Sequence, residues 1–381
     1  MKLRRKMLGV LLAGTMVMGM GATAMAQEPQ PQEGTEANPA KASVTKELQF
    51  AEGVETPDVD FTFDFTADTF EGSTALPTGT PNLDTTISYD GTEPGSTSDG
   101  LTTVVKETGN IFAGKTFPAA GVYEYSVVET ATGVEGMDDS QAEYTMKVYV
   151  KNGVDGTYVY SVTVNQDKND EGETGTGKVD PEQPETPGIG NGFRFVNVYT
   201  EQGGNPDDPD AKALTISKTV AGEYGDHTKD FTFSVTLTRA ATASDESYTG
   251  YVGDESYTFE PGTAKEVTLK HGESLTFDSL PVGTKYTVVE TGTAKYTGSA
   301  VVTEGEDVTN VNDAQEGANL TVSDKLVKAG ANNSTAVTNT YDDASVTPTG
   351  IIINNLPFIL LIVAAAAGIA LYAVSRRRFN R

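Results

Sequence analysis

Between residues 41 and 342 the chain alternates short runs of Thr, Val, Tyr and Phe with clusters of Gly, Asp, Asn and Pro. Asp60-Phe61-Thr62-Phe63-Asp64-Phe65-Thr66 sets an apolar ring at every second position. Tyr144-Thr145-Met146-Lys147-Val148-Tyr149-Val150 and Tyr158-Val159-Tyr160-Ser161-Val162-Thr163-Val164 carry the same beat. A period of two is that of a strand with one buried face, and the punctuating residues are those of turns. No sustained helical period appears before residue 351. The pattern predicts an all-β protein.

The region divides at Glu201-Gln202-Gly203-Gly204-Asn205-Pro206-Asp207-Asp208-Pro209-Asp210, and the halves echo each other. Val44-Thr45-Lys46-Glu47-Leu48 and Phe61-Thr62-Phe63 open the first. Leu214-Thr215-Ile216-Ser217-Lys218-Thr219-Val220 and Phe231-Thr232-Phe233 open the second. Tyr125-Ser126-Val127-Val128-Glu129 is answered by Tyr286-Thr287-Val288-Val289-Glu290. Phe195-Val196-Asn197-Val198-Tyr199 is answered by Val337-Thr338-Asn339-Thr340-Tyr341. Short strands with frequent turns predict two tandem antiparallel, immunoglobulin-like β-sandwiches, over 41–200 and 211–342, joined by a linker at 201–210. Residues 27–40, rich in Gln, Glu, Pro and Gly, read as a disordered lead. The segment 165–191 reads as an elaborated loop.

The ends differ in kind. Lys2, Arg4, Arg5 and Lys6 precede an apolar stretch, and Ala24-Met25-Ala26 follows it. This is the layout of a signal peptide over 1–26, cut between Ala26 and Gln27; an uncleaved anchor is the rival reading. At the other end, within 343–381, Val346-Thr347-Pro348-Thr349-Gly350 precedes an apolar stretch over 351–374, long enough to span a bilayer. Arg376, Arg377, Arg378 and Arg381 lie in the basic tail 375–381.

Composition narrows the function. Lys and Arg number 27 against 54 Asp and Glu, a formal charge of -27, which opposes nucleic-acid binding. The absence of Cys excludes disulfides, thiolate metal sites and thiol nucleophiles. Two His, His227 and His271, leave little for a His-based metal or catalytic site. No cofactor and no metal is expected. Asp207-Asp208-Pro209-Asp210 lacks EF-hand spacing and reads as a solvated linker.

Three polar residues sit where apolar ones belong. Side chains alternate across a strand, so Lys46 shares a face with Val44 and Leu48, Glu129 with Tyr125 and Val127, and Asn197 with Phe195 and Tyr199. Lys218, Glu290 and Asn339 repeat the arrangement. A buried unpaired charge costs several kcal/mol, so a repeated Lys, Glu and Asn in the same order requires a reason. Burial lowers a Lys pKa and raises a Glu pKa, and a neutral Lys amine is a nucleophile. A protonated Glu can polarise the Asn carboxamide through its oxygen. Amine attack with loss of ammonia then gives a Lys–Asn isopeptide bond.

The tail resembles the cell-wall sorting signal of Gram-positive surface proteins, with Thr347-Pro348-Thr349-Gly350 where that signal has Leu-Pro-x-Thr-Gly. With the duplicated Lys, Glu and Asn, the whole resembles the sortase-assembled backbone pilins of Gram-positive bacteria, the T-antigen type. The resemblance implies isopeptide bonds Lys46–Asn197 and Lys218–Asn339, with Glu129 and Glu290 as the catalytic acids. It implies sortase cleavage between Thr349 and Gly350 and a surface pilus anchored to the cell wall. The implied partners are a sortase, neighbouring pilin subunits and peptidoglycan; a host receptor is left open, and the membrane is met only through the tail before sorting. The lysine that joins subunits is assigned to Lys178 in Thr176-Gly177-Lys178-Val179, read as an exposed loop, with Lys168 as its rival. The alternatives are a non-polymerising wall-anchored adhesin or minor pilin and, less favoured, a surface glycosidase whose acid pair cannot be picked out. The expectation is no enzyme beyond the single self-catalysed turnover.

Overall fold

A computed structural model describes residues 33–182, 189–204, 211–312, 315–330 and 333–341. The signal peptide with Ala26 and Gln27, the sorting motif Val346, Thr347, Pro348, Thr349 and Gly350, and the apolar and basic tail lie outside the described residues. Among the described residues every regular element is a strand.

In the first half, five strands form one sheet. The strand Thr45–Ala51 lies inside it, antiparallel to Leu101–Glu107 and parallel to Arg194–Tyr199. Six strands form the other, in the order Thr174–Val179, Thr157–Lys168, Glu143–Asn152, Gly121–Glu129, Asp58–Phe70, Thr85–Asp90. Phe61, Phe63 and Phe65 turn inward from Asp58–Phe70 while Asp58, Asp60 and Thr66 face solvent, as the period of two requires. Phe63 meets Phe195 of the opposite sheet at 5.0 Å between ring centroids, and Tyr144 meets Phe195 at 5.1 Å. The core thus lies between two sheets, as in a sandwich.

The second half repeats the plan. Leu214–Ala221 lies between Ser274–Phe277, antiparallel, and Asn333–Tyr341, parallel, in a seven-stranded sheet. Facing it are Lys265–Leu269, Phe231–Thr238, Lys285–Glu290 and Leu320–Leu326.

Three features depart from the sequence reading. First and last strands of each half pair in parallel, although the remaining ladders are antiparallel. Residues 33–40 of the expected disordered lead are fastened down: the Gly34 and Ala40 amides donate to the Tyr160 and Val159 carbonyls. Much of the expected loop after residue 165 is a hairpin, because Thr157–Lys168 runs on and Thr174–Val179 pairs back onto it.

The halves also touch. Gln202–Gly203, within the expected linker, pairs with Leu280–Pro281. Ala240 and Val282 of the second half join the first core. Gly283 has φ 90°, and a Cβ there would lie 2.6 Å from that of Ala51. Glycine at this position serves both the turn and the close approach.

Candidate functional site

Lys46 is buried because its strand is internal to the sheet and covered on both faces. Asn197 comes from the parallel neighbour, which pairs Lys46 with Phe195 and Leu48 with Asn197. The register therefore sets Lys and Asn diagonally on the core face. Glu129, the last residue of Gly121–Glu129, reaches them from the opposite sheet. Lys218 pairs with Val337 and Val220 with Asn339, the same diagonal, and Glu290 ends the corresponding strand of the facing sheet. Each sequence-predicted triad is thus brought together.

In the first triad Lys46 Nζ lies 2.5 Å from Glu129 Oε2 and 2.5 Å from Asn197 Oδ1. Asn197 Nδ2 donates to Glu129 Oε1 at 2.6 Å and to Asp139 Oδ1 at 3.2 Å. The Lys46 and Glu129 side chains are both 0% exposed, and Lys46 Nζ sits 4.2 Å from the centre of the Phe61 ring. Burial lowers the Lys46 amine to about 8, with Glu129 opposing the shift. Burial likewise raises the Glu129 carboxyl, with Lys46 opposing. Both shifts favour the uncharged forms.

The second triad is sparser. Lys218 Nζ lies 2.5 Å from Asn339 Oδ1 and 2.8 Å from Glu290 Oε1, which has no aligned hydrogen bond. Phe231 lies under the amine at 4.1 Å. Burial lowers Lys218 and raises Glu290.

One expected contact differs. Glu129 meets the Asn197 nitrogen, not its oxygen. The oxygen accepts instead from the Ser140 backbone N–H at 2.9 Å. The same carboxylate therefore touches both the Lys46 amine and the Asn197 carboxamide nitrogen.

Sequence reasoning missed several groups. Asp139 is held by the Thr132 backbone N–H and hydroxyl. Asp170, raised by burial, accepts from the Ser140 hydroxyl at 2.6 Å and the Val196 amide at 2.8 Å. It also lines a groove of about 690 Å³ with Tyr144, Gln166, Thr176 and Arg194. Asn191 Nδ2 donates to the Ser43 carbonyl, and Asn333 Nδ2 to the Ala213 carbonyl. Each pegs the last strand to the chain leading into the first, and each stands six positions before the Asn of its triad (197 − 191 = 6; 339 − 333 = 6). That shared offset was the available signal.

Lys178 is exposed but lies on Thr174–Val179, an edge strand with a register shift, and not in a loop. Gly175 and Gly177 lower the strand propensity of this run, which hid the pairing. Lys168, also on a strand, is ion-paired to Glu143 at 2.6 Å. Both lysines therefore lie on strands, and the ion pair of Lys168 is what separates them.

Residues 42–200 match the family described as Spy0128-like isopeptide containing domain. Residues 212–341 match a domain family of unknown function. A curated pilin of Streptococcus pyogenes serotype M1 is 28% identical over 411 aligned residues, covering 99% of both chains. A pilus tip adhesin of Streptococcus pyogenes is 39% identical over 88 residues, 23% of this chain and 13% of the adhesin. The crystal structure of the major pilin of Streptococcus pyogenes aligns at 24% identity and TM-score 0.33, over 80% of this chain and 100% of that one. At that level of superposition the fold rests on this chain's own sheets.

Proposed function

We propose that this chain, related along its length to a Gram-positive pilin and carrying a Spy0128-like isopeptide domain, is a structural subunit of a surface pilus. In this reading it is covalently polymerised, wall-anchored and internally cross-linked. The observation that carries the reading is the duplicated buried triad, with Lys Nζ 2.5 Å from the Asn carboxamide oxygen in both halves.

The chemistry follows from the contacts. The Lys46 amine attacks Asn197 Cγ, the Cγ–Nδ2 bond breaks, and ammonia leaves. Glu129 bridges both nitrogens and carries the proton from one to the other. Packing supplies the proximity that an exchange between an amine and an amide otherwise lacks. Lys218, Glu290 and Asn339 do the same in the second half. Each bond closes a span of 151 or 121 positions between parallel neighbours, so tension applied to a half meets a covalent link. No substrate is turned over; the role is structural.

Removal of the signal peptide after Ala26, sortase cleavage between Thr349 and Gly350, and transfer to Lys178 of a neighbour complete the proposal. Lys178 is preferred to Lys168 because Lys168 is ion-paired. The test is the wall extract. A ladder of detergent-resistant high-mass species is expected from wild type and not from a sortase deletion or Lys178→Arg. A ladder that survives both overturns sortase-catalysed joining at Lys178. A wall-linked monomer in wild type favours the adhesin reading, to which the local 39% identity with a tip adhesin also points.

A further inference from the structure

The two triads share their diagonal register but not their surroundings. In the first half the strand beside Arg194–Tyr199 is only Met137–Asp138, which pairs with Val198 and Tyr199 and stops. Two residues beyond its end, the Ser140 amide donates to Asn197 Oδ1 at 2.9 Å. In the second half the corresponding neighbour is Tyr296–Glu304. It pairs with the last strand from Tyr341 back to Asn333, with Gly298 opposite Asn339. Among the described residues no backbone N–H donates to Asn339 Oδ1. A broken ladder has released a donor in one half, and an unbroken one withholds it in the other.

The released amide is held in place. Asp170 accepts from the Ser140 hydroxyl and from the amide of Val196, the residue before Asn197. The Gln141 amide donates to the Asp170 carbonyl at 2.9 Å. One residue thus ties the 139–141 turn to the strand that carries the reacting carboxamide.

We propose that the Ser140 backbone N–H is an oxyanion donor for closure of the Lys46–Asn197 bond, that Asp170 is the positioning residue that aims it, and that the second half works without one. The inference rests on the isopeptide reading given above. When Lys46 Nζ adds to Asn197 Cγ, the carbonyl π pair moves onto Oδ1, and a donor already within hydrogen-bond distance stabilises that charge without reorganising. Collapse restores the C–O double bond, breaks Cγ–Nδ2 and releases ammonia. No oxidant or co-reactant is needed. Removing one such donor typically costs on the order of a hundredfold in rate, so the first bond closes faster than the second.

The experiment is a synthesis time course on the full ectodomain. Cell-free translation is pulsed and quenched in denaturant, and the peptides Lys46–Asn197 and Lys218–Asn339 are counted by mass spectrometry. In wild type the first cross-link is expected to appear before the second. Asp170→Ala, which loosens the donor without removing it, slows the first by about tenfold or more, part of the roughly hundredfold cost of losing the donor outright, and leaves the second unchanged. Asp170→Asn, which keeps an acceptor oxygen for Ser140 and Val196, restores most of the rate. Should Asp170→Ala fail to fold, an α-hydroxy acid analogue of serine at 140 decides the matter, because it replaces only the N–H by oxygen. An unchanged first rate in the ester variant, or in folded Asp170→Ala, overturns the proposal. So does an equal slowing of both bonds. Absence of the Lys46–Asn197 peptide from wild type would instead overturn the isopeptide reading itself.

Discussion

The two halves bury the same three side chains on the same diagonal, yet they solve the cost of burial differently. In the first, the carboxamide of Asn197 is satisfied on every side: Lys46 and Ser140 at the oxygen, Glu129 and Asp139 at the nitrogen. In the second, Lys218 reaches the oxygen of Asn339 and is ion-paired to Glu290 at 2.8 Å, and Glu290 also meets the Asn339 side chain, but among the described residues no backbone N–H joins them. The difference traces to one neighbouring strand, two residues long in the first half and nine in the second. A shared register fixes which residues meet; the adjoining ladder decides what else can reach them.

The largest effect expected is on stability. Lys46→Ala and Lys218→Ala each remove a cross-link, and the loop lengths imply a loss of about 5 kcal/mol per bond. The first variant also strands Glu129 beside Asp139, so scanning calorimetry should record the deeper loss there. Equal and small shifts for both would deny the cross-links a structural role.

Next come the glutamates. Glu129→Ala is expected to restore one ammonia to the intact mass and Glu290→Ala the other, with the opposite cross-link unaffected. If either variant removes both bonds, the two sites are not independent.

Acid–base behaviour sharpens the comparison. Closure needs one proton shared between Lys46 and Glu129, since the amine must be neutral and the carboxyl protonated. The pair loses that proton as pH rises through the Lys46 value of about 8, so first-site closure should slow above pH 8. It should slow again in acid, where both groups are protonated. A rate still climbing at pH 10 would contradict the neutral-pair mechanism.

The smallest effect is at the pegs. Asn191→Ala and Asn333→Ala each free a buried carbonyl, at a cost of about 1–3 kcal/mol. The Asn191 side chain makes five hydrogen bonds, with Ser43, Thr45, Pro181 and Phe193, against three for Asn333, with Ala213 and Lys328, so denaturant midpoints should fall further for Asn191→Ala. The reverse order would show that the echo at the two offsets is not a functional one.

The triads were legible because a period-two pattern assigns each residue a face, and Lys46, Glu129 and Asn197 stood on apolar faces twice over. Parallel pairing of first and last strands was not legible, since one strand's pattern is silent about the direction of its neighbour. Ser140 could not be found because it acts through its backbone, which every residue possesses. Asp139 and Asp170 were hidden among 54 acids, distinguished only by which turn brings them inward. Lys178 was misplaced because Gly175 and Gly177 read as loop, whereas an edge strand needs only one partner.

The central claim is that both triads become covalent. It is tested most directly by the intact mass of the purified ectodomain, followed by peptide mapping. The account predicts a mass lower than that of the sequence by two ammonia molecules, with one link mapped to Lys46–Asn197 and the other to Lys218–Asn339. A mass equal to that of the sequence, with Lys46 and Lys218 recovered as free amines, would contradict it.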